Sequence, residues 1–257
     1  MQQQQQHPAP GAEFVADRDA ARAEVERALG GYSFRDGGAL LLEDALTHSV
    51  HPRDEAGGRA RHQRLEFLGD AALGLAFATI FYRDDPGLDQ GDLTVLRSAN
   101  VSTQKLARVA VRRRLYPLLR RYNCAPQDHE VSRFTKSVEG PYSGDPIEGP
   151  KVLADIVEAI VGAVYLDSKL DLEVLQKVAK LLCEPIITKK ALLEDPESML
   201  NELRGEHRET LEIKILEWRK VANVVDDGRE QAITTSGLGN SSEDEVGKLR
   251  TIRIEEA

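Results

Sequence analysis

Apolar residues recur at intervals of three and four along the chain up to Lys190, which is the period of an α-helix. The clearest run, Gln63 to Tyr82, places Leu65, Leu68, Ala72, Leu75, Ala76 and Ile80 on one face. Similar runs predict helices at Asp17–Leu29, Ala39–His48, Leu93–Ala99, Thr103–Arg112, Val152–Leu166 and Leu172–Lys190. Ser102 precedes one of these runs and suits an N-cap. The pattern predicts an all-α domain over residues 17–190.

Two later segments depart from this helical pattern. Residues 123–149 are rich in Pro, Gly, Ser and charge, and we predict a long loop there. Beyond Pro196 the pattern predicts a helix at Glu197–Glu206, strands at Leu211–Trp218, Ala222–Val225 and Gln231–Thr235, and a last helix at Asp244–Glu256. This order predicts a small α+β module over residues 196–257.

The composition is typical of a globular protein from a reducing compartment. The 257 residues are 41% hydrophobic and 30% charged, which suits one helical domain and one small one. No stretch approaches the run of about 20 apolar residues that spans a membrane. The glutamine-rich start lacks the features of a secretory signal, so residues 1–16 are predicted to be a disordered tail. Cys124 and Cys183 do not form a disulfide framework, which favours an intracellular location, either nucleus or cytoplasm.

The charge is unevenly distributed along the chain. The formal net charge is −9, yet the segment from Arg97 to Lys136 contains ten basic residues against Asp128 and Glu130. Such a segment can offer a local phosphate-binding face on an acidic protein. The alternative is an ordinary solvated helix face, which is the more common role of a charge run.

Two apolar helices carry paired carboxylates. Glu66 and Asp70 are four residues apart, and Asp155 and Glu158 are three apart, so each pair projects from one helix face. Buried carboxylates normally pair, protonate or bind metal. Four of them converging from two helices would form an oxygen-ligand site suited to Mg²⁺ or Mn²⁺. The alternative is that each pair forms salt bridges with arginines such as Arg64 or faces solvent.

The residues around these carboxylates resemble a known family. His62–Leu75 (HQRLEFLGDAALGL) closely resembles the signature of the ribonuclease III family. Segments Ala45–Ser49, Gly91–Ser98 and Lys151–Asp167 resemble three further motifs of that family, in the same order. The resemblance covers about Asp17 to Lys190. It implies an enzyme that cleaves double-stranded RNA and leaves 5′-phosphates and short 3′ overhangs.

The resemblance also implies residue roles. It assigns catalysis and binding of Mg²⁺ or Mn²⁺ to Glu66, Asp70, Asp155 and Glu158, which all match the acidic positions of the family. It implies a homodimer formed through the signature helix, in which Gly69 permits close backbone approach. Gln63 and Gln90 stand where bacterial members have acids that handle substrate and interface contacts. Glutamine at the first of these positions is familiar in plant and Dicer-like members.

The implied RNA duplex would be recognised mainly by shape and charge. Besides Gln63 and Gln90, the candidate RNA contacts are Arg97, Lys105, Arg108, Arg112, Arg113 and Arg114. The C-terminal module weakly resembles a double-stranded-RNA-binding domain, but Ser242–Glu245 replaces its basic stretch, so we predict a degenerate one. A non-catalytic duplex-binding scaffold on the same fold is the alternative to an enzyme. The presence of all four carboxylates favours the enzyme.

Overall fold

The computed structural model describes residues 13–14, 17–35, 37–48, 58–122, 125–140 and 147–235. Within these ranges the secondary structure is almost entirely helical. The helices are α1 (Arg18–Ala28), α2 (Gly38–Ala45), α3 (Gly58–Asp84), α4 (Gln90–Val101), α5 (Thr103–Arg112), α6 (Ala125–Glu139), α7 (Lys151–Asp167), α8 (Leu172–Leu182), α9 (Lys189–Glu194), α10 (Pro196–Leu200) and α11 (Gly205–Thr235). A 3-10 turn at Tyr116–Leu118 lies between α5 and α6.

The core is built around α7, which is buried along nearly its whole length. Helices α2, α3, α5 and α8 all pack against it. Leu153, Ile156 and Ile160 of α7 are fully buried, as are Leu73 and Phe77 of α3. This central position explains why the sequence of α7 is apolar on most of its circumference, whereas surface helices keep a broad polar stripe.

Helix α3 corrects the expectation that no stretch of the chain approaches the apolar length of a membrane span. Its stretch Ala60–Asp84 is long and apolar enough, by length and composition, to cross a membrane. That expectation counted consecutive apolar residues, whereas a high mean hydropathy tolerates polar residues within the stretch. Since α3 packs on α4, α7 and α8, its apolar character is explained by the core.

Side chains cap the N-terminal ends of several helices, and of these caps the sequence predicted Ser102. The Asp17 side chain accepts hydrogen bonds from the first turn of α1, and the Ser102 side chain accepts one from Lys105 N in α5. Asp89 and Asp171 cap α4 and α8 in the same way. These bonds satisfy backbone N–H groups that have no partner within the helix, which sets where each helix begins.

The predicted loop over residues 123–149 is wrong for most of its length, because α6 lies within it. Val131 and Phe134, three residues apart, are buried, and the rest of the helix is mainly polar. Asp128 ties α6 to the preceding segment by accepting bonds from Tyr116 Oη at 2.7 Å and Arg121 Nε at 2.8 Å. A two-residue apolar stripe is too weak a periodic signal to stand out in a polar sequence.

Two other predicted boundaries are corrected. The helix expected over Leu172–Lys190 ends at Leu182, and α9 begins at Lys189. Pro185, which lacks a backbone N–H, lies in the break. In the predicted N-terminal tail, Glu13–Phe14 forms β1, which pairs antiparallel with β2 (Arg121–Tyr122). The other residues of that tail lie outside the described ranges.

The predicted α+β module is not present in the described part of the C-terminal region. The three expected strands are replaced by α11, a continuous helix through Thr235. Leu211, Ile215 and Trp218 recur at intervals of four and three, and this helical period prevails over the loose alternation. Residues 236–257, including the predicted last helix and glycine-rich turn, lie outside the described residues. By internal contacts the chain divides into two units, Met1–Lys214 and Ile215–Ala257.

Candidate active site

The candidate site forms where the backbones of α3 and α7 touch. A Cβ atom added to Gly69 would lie 1.7 Å from the carbonyl oxygen of Glu158. One added to Gly162 would lie 2.3 Å from the carbonyl oxygen of Leu65. Only glycine fits at either position, because any side chain would collide with backbone. The close approach expected at Gly69 is confirmed, but its partner is α7 of the same chain.

This crossing brings three of the four predicted carboxylates together. One carboxylate oxygen from each of Glu66, Asp155 and Glu158 lies within 4.8 Å of the other two. Asp155 is buried, and Glu66 and Glu158 are half-buried at the edge of the core. The cluster is therefore rigidly held by two core helices while still open to solvent on one side.

The fourth predicted carboxylate, Asp70, lies beside the cluster. It is exposed, one helical turn after Glu66, and it does not belong to the group of three. Its negative charge still acts on Glu158, where it contributes to a raised pKa. Spacing on one helix correctly predicted that Glu66 and Asp70 share a face, but it could not predict their distances to α7.

Lys151, which the sequence reasoning did not single out, neutralises part of the cluster. Its Nζ donates to Glu66 Oε1 at 2.6 Å and also to Asp155 Oδ1. Burial alone lowers the pKa of this ammonium, but the hydrogen bonds to Asp155 and Glu66 outweigh it and raise the pKa above its ordinary value. A lysine four residues before Asp155 at the start of α7 was the available signal, since residues at i and i+4 meet on a helix.

The carboxylates are crowded and partly desolvated. Burial, followed by the charges of Asp70, Asp155 and Glu66, raises the pKa of Glu158 to about 7. Burial also raises the pKa of Asp155, although the hydrogen bond from Lys151 opposes this. The raised pKa values mean that the ionised carboxylates are destabilised at this site. A nearby cation would stabilise the ionised forms.

The residues present fit a hard divalent cation. All the candidate donors are carboxylate oxygens, which Mg²⁺ and Mn²⁺ prefer, and no thiol or imidazole belongs to the cluster of Glu66, Asp155 and Glu158. The ammonium of Lys151 supplies a single positive charge to two of the three carboxylates. A divalent cation would supply more charge at the same place and would contact more oxygens.

Comparison with known proteins agrees with this geometry. Residues 63–169, which include all four carboxylates, match the Ribonuclease III domain. The chain is 98% identical over 255 residues to Ribonuclease 3-like protein 1 of Oryza sativa subsp. japonica, covering 99% of this chain and 100% of that protein. The chain belongs to the ribonuclease III family. Among other members, Ribonuclease 3-like protein 2 of the same organism is 48% identical over 96% of this chain and 76% of its own length. Endoribonuclease Dicer homolog 1 of Arabidopsis thaliana is 37% identical over 74% of this chain and 10% of its own length.

One basic residue proposed to contact RNA within this ribonuclease III domain is instead buried. Lys105 is fully buried in α5, and its Nζ donates to Glu202 at 2.9 Å and to the carbonyl oxygen of Pro185. Burial lowers the pKa of Lys105, and the charge of Glu202 opposes this effect. The prediction that Lys105 contacts phosphate is wrong, because the side chain cannot reach a ligand on the surface.

Two arginines that follow along the chain also form hydrogen bonds within the domain. Arg112 donates two hydrogen bonds to the carboxylate of Glu202, one of them at 2.7 Å. Arg113 donates to the carbonyl oxygens of Leu181 and Leu182 near the end of α8, the second at 3.1 Å. Because these guanidinium groups join α5 to later segments of the chain, they do not form the free basic face that the charge run predicts.

The remaining candidate RNA contacts are mostly exposed, as is Arg112 despite its bonds to Glu202. Gln63, Gln90, Arg97 and Arg114 are exposed, and Arg108 is half-buried. Charge counting along the sequence could not separate these residues from the engaged ones, since the partners of Lys105 and Arg112 come from a segment about 90 residues later.

Proposed function

We propose that the chain is an endoribonuclease that hydrolyses double-stranded RNA with Mg²⁺ or Mn²⁺ and leaves 5′-phosphate and 3′-overhang ends. The observation that carries this proposal is the meeting of Glu66, Asp155 and Glu158 at the α3–α7 crossing. We further propose that the chain acts inside the cell, in the nucleus or the cytoplasm.

The chemistry follows from the charges at the site. Glu66, Asp155 and Glu158 would hold the cation through their carboxylate oxygens, and Asp70 adds negative charge beside them. A bound divalent cation supplies positive charge that activates water and stabilises the charge developing on the cleaved phosphate. Before a cation binds, Lys151 orients Glu66 and Asp155 through its hydrogen bonds to both carboxylates.

RNA recognition in this proposal rests on the exposed members of the predicted set. Arg97 and Arg114 are exposed cationic side chains that can meet phosphates, and Gln63 and Gln90 can donate and accept hydrogen bonds. Duplex RNA presents phosphates and 2′-hydroxyl groups in a wide minor groove, so a few such contacts position it without reading its sequence.

The proposed homodimer is supported by an uncovered face of α3. Phe67, Leu75 and Tyr82 are 79%, 47% and 73% exposed and follow one another at intervals of about two helical turns. Ala71 and Ala78 lie between them on the same face. Large exposed apolar side chains on one face are typical of an interaction surface. Phe67→Ala should therefore shift the purified protein toward monomer in analytical ultracentrifugation.

The test of the proposed function is cleavage of a long end-labelled RNA duplex with Mg²⁺, with Mn²⁺ and with EDTA. We expect shortening only with metal, and fragments that carry 5′-phosphates and 3′ overhangs. Binding without cleavage in either metal would contradict the proposed enzyme and support the duplex-binding scaffold.

Two variants separate chemistry from binding. Glu158→Gln and Asp70→Asn should abolish cleavage, because each removes negative charge from the site while nearly preserving shape. Both should bind the duplex about as well as the unmodified chain. Glu139→Gln at the exposed end of α6 is the matched control and should cleave normally. Normal cleavage by Glu158→Gln would contradict the metal-site assignment.

A further inference from the structure

The segment just before α7 is bonded to a side chain of another helix. The first turn of α7 carries Lys151 and leads to Asp155, both of which enter the carboxylate cluster. The N-cap residue is Pro150, whose side chain makes no capping hydrogen bond. The chain before it must therefore be anchored by other contacts.

Gln104 of α5 provides that anchor through both ends of its side-chain amide. Its Oε1 accepts a hydrogen bond from the backbone N–H of Gly149 at 2.8 Å, in a buried position. Its Nε2 lies 3.4 Å from the carbonyl oxygen of Ile147, to which it donates a longer bond. Gln104 itself is 8% exposed, so these bonds are shielded from competition with water.

Close packing holds the same segment against α5. A Cβ atom added to Gly149 would lie 2.7 Å from Cβ of Ala107 and 3.2 Å from Oε1 of Gln104. It would also lie 3.4 Å from the ring of Phe134, which is fully buried. Glycine therefore allows the backbone to approach α5 closely enough for Gln104 to bond it.

Besides the burial of its apolar side chains, α7 is held by two backbone contacts near the carboxylate cluster. The glycine crossing with α3 fixes its middle, at Glu158 and Gly162. The bonds from Gln104 fix the segment before Lys151, about two turns earlier. Loss of the bonds from Gln104 would act first on the segment before Lys151, whereas the glycine crossing would still hold Glu158.

We propose that Gln104 is a positioning residue that, through Gly149, sets where the first turn of α7 enters the carboxylate cluster. This inference rests on the proposed function. The hydrogen bonds of Gln104 reach Ile147 and Gly149 and not the carboxylates, so Gln104 acts through the backbone that leads to Lys151 and Asp155. Active-site groups displaced by about 1 Å lose much of their effect on rate.

The test compares Gln104→Ala, Gln104→Glu and the control Thr103→Ala, whose side chain is exposed one residue away. Single- and multiple-turnover cleavage of an RNA duplex gives kcat and KM. Mn²⁺ binding to the RNA-free protein is followed separately by electron paramagnetic resonance. Thermal unfolding of each variant shows that the protein is folded at the assay temperature.

For Gln104→Ala we expect kcat to fall about tenfold, KM to stay within about twofold, and Mn²⁺ affinity to fall severalfold. Gln104→Glu should recover most of both losses, because the protonated carboxyl group favoured by burial still accepts from the N–H of Gly149 and can donate to the carbonyl oxygen of Ile147. Thr103→Ala should match the unmodified chain. If Gln104 served only the stability of the fold, Gln104→Ala would lower the melting temperature but would not lower kcat at an unchanged KM.

Unchanged kcat and Mn²⁺ affinity in folded Gln104→Ala would overturn the inference, as would a failure of folded Gln104→Glu to recover either quantity. If the unmodified chain cleaved no duplex, the proposed function would fail. The Mn²⁺ titration would then still decide whether Gln104 positions the cluster, because it needs no RNA.

Discussion

Replacing Gly69 by alanine is expected to force α3 and α7 apart where they bring the carboxylates together. The new methyl carbon would lie 1.7 Å from the carbonyl oxygen of Glu158 and 3.0 Å from the backbone nitrogen of Gly162. Real Cβ atoms essentially never approach a neighbour closer than 3.0 Å, so the helices must separate locally by about 1.3 Å. The colliding atom belongs to backbone in the centre of α7 and cannot rotate away.

The cost follows from the packing of these two helices. Overfilling a close-packed core destabilises proteins by about 1–3 kcal/mol, and a clash with helix backbone belongs at the upper end of that range. We expect a loss of about 3 kcal/mol, which lowers the melting temperature by roughly 6–12 °C in a chain of this size. Cleavage should fall by about 100-fold even where the variant is folded, because Glu158 moves relative to Glu66.

The assay is thermal unfolding followed by circular dichroism at 222 nm, together with single-turnover cleavage well below the melting temperature. Gly74→Ala is the matched control, since Gly74 is in the same helix and an added Cβ there meets nothing within 4 Å. It should be stabilised by about 0.5–1 kcal/mol, the usual advantage of alanine over glycine in a helix. Oligomeric state is measured alongside, because Gly74 lies near the face proposed for dimerisation. Equal melting temperatures and rates for the two variants would refute the reasoning.

Three further predictions concern stability. Glu202→Gln should lower the free energy of unfolding by about 3 kcal/mol, because it leaves Lys105 buried beside a neutral side chain. An unchanged midpoint of urea unfolding would contradict a stabilising ion pair. Although burial opposes it, the bonds from Arg112 and Lys105 hold the pKa of Glu202 below its ordinary value of 4.5. The stability that Glu202 contributes is therefore present above pH 4.5 and is lost as pH falls further, so the unmodified chain should lose more stability on acidification than Glu202→Gln. Tyr32→Phe should lower the free energy of unfolding by about 1.5 kcal/mol, because it removes the hydrogen bond to the buried Asp167. Equal stability of the variant and the unmodified chain in calorimetry would contradict this contribution.

Local sequence signals predicted most of the helices in the first unit. The apolar period placed α1 to α5 and α7, and Ser102 was correctly predicted as a cap. These signals succeed because a helix must bury one stripe and satisfy its own end groups, and both requirements appear within a few residues. Helix α6 was missed because only Val131 and Phe134 turn toward the core.

Long-range packing decided the features that the sequence reasoning predicted wrongly. The basic run looked like a phosphate-binding face, yet Lys105 and Arg112 pair with Glu202 from the C-terminal segment. The expected strands after Leu211 are instead part of α11, where the spacing of Leu211, Ile215 and Trp218 favours a helix over the loose alternation.

The sequence by itself determined that the chain has a helical core, that four carboxylates stand on two apolar helices, and that their motifs resemble those of ribonuclease III. Only the tertiary structure decided which of these carboxylates meet, that Lys151 joins Glu66 and Asp155, and which cations remain at the surface. The physical reason is the separation of the interacting residues along the sequence. Helical period and capping depend on residues three or four apart, whereas the ion pairs and the backbone contact at Gly69 and Gly162 join residues about 90 positions apart.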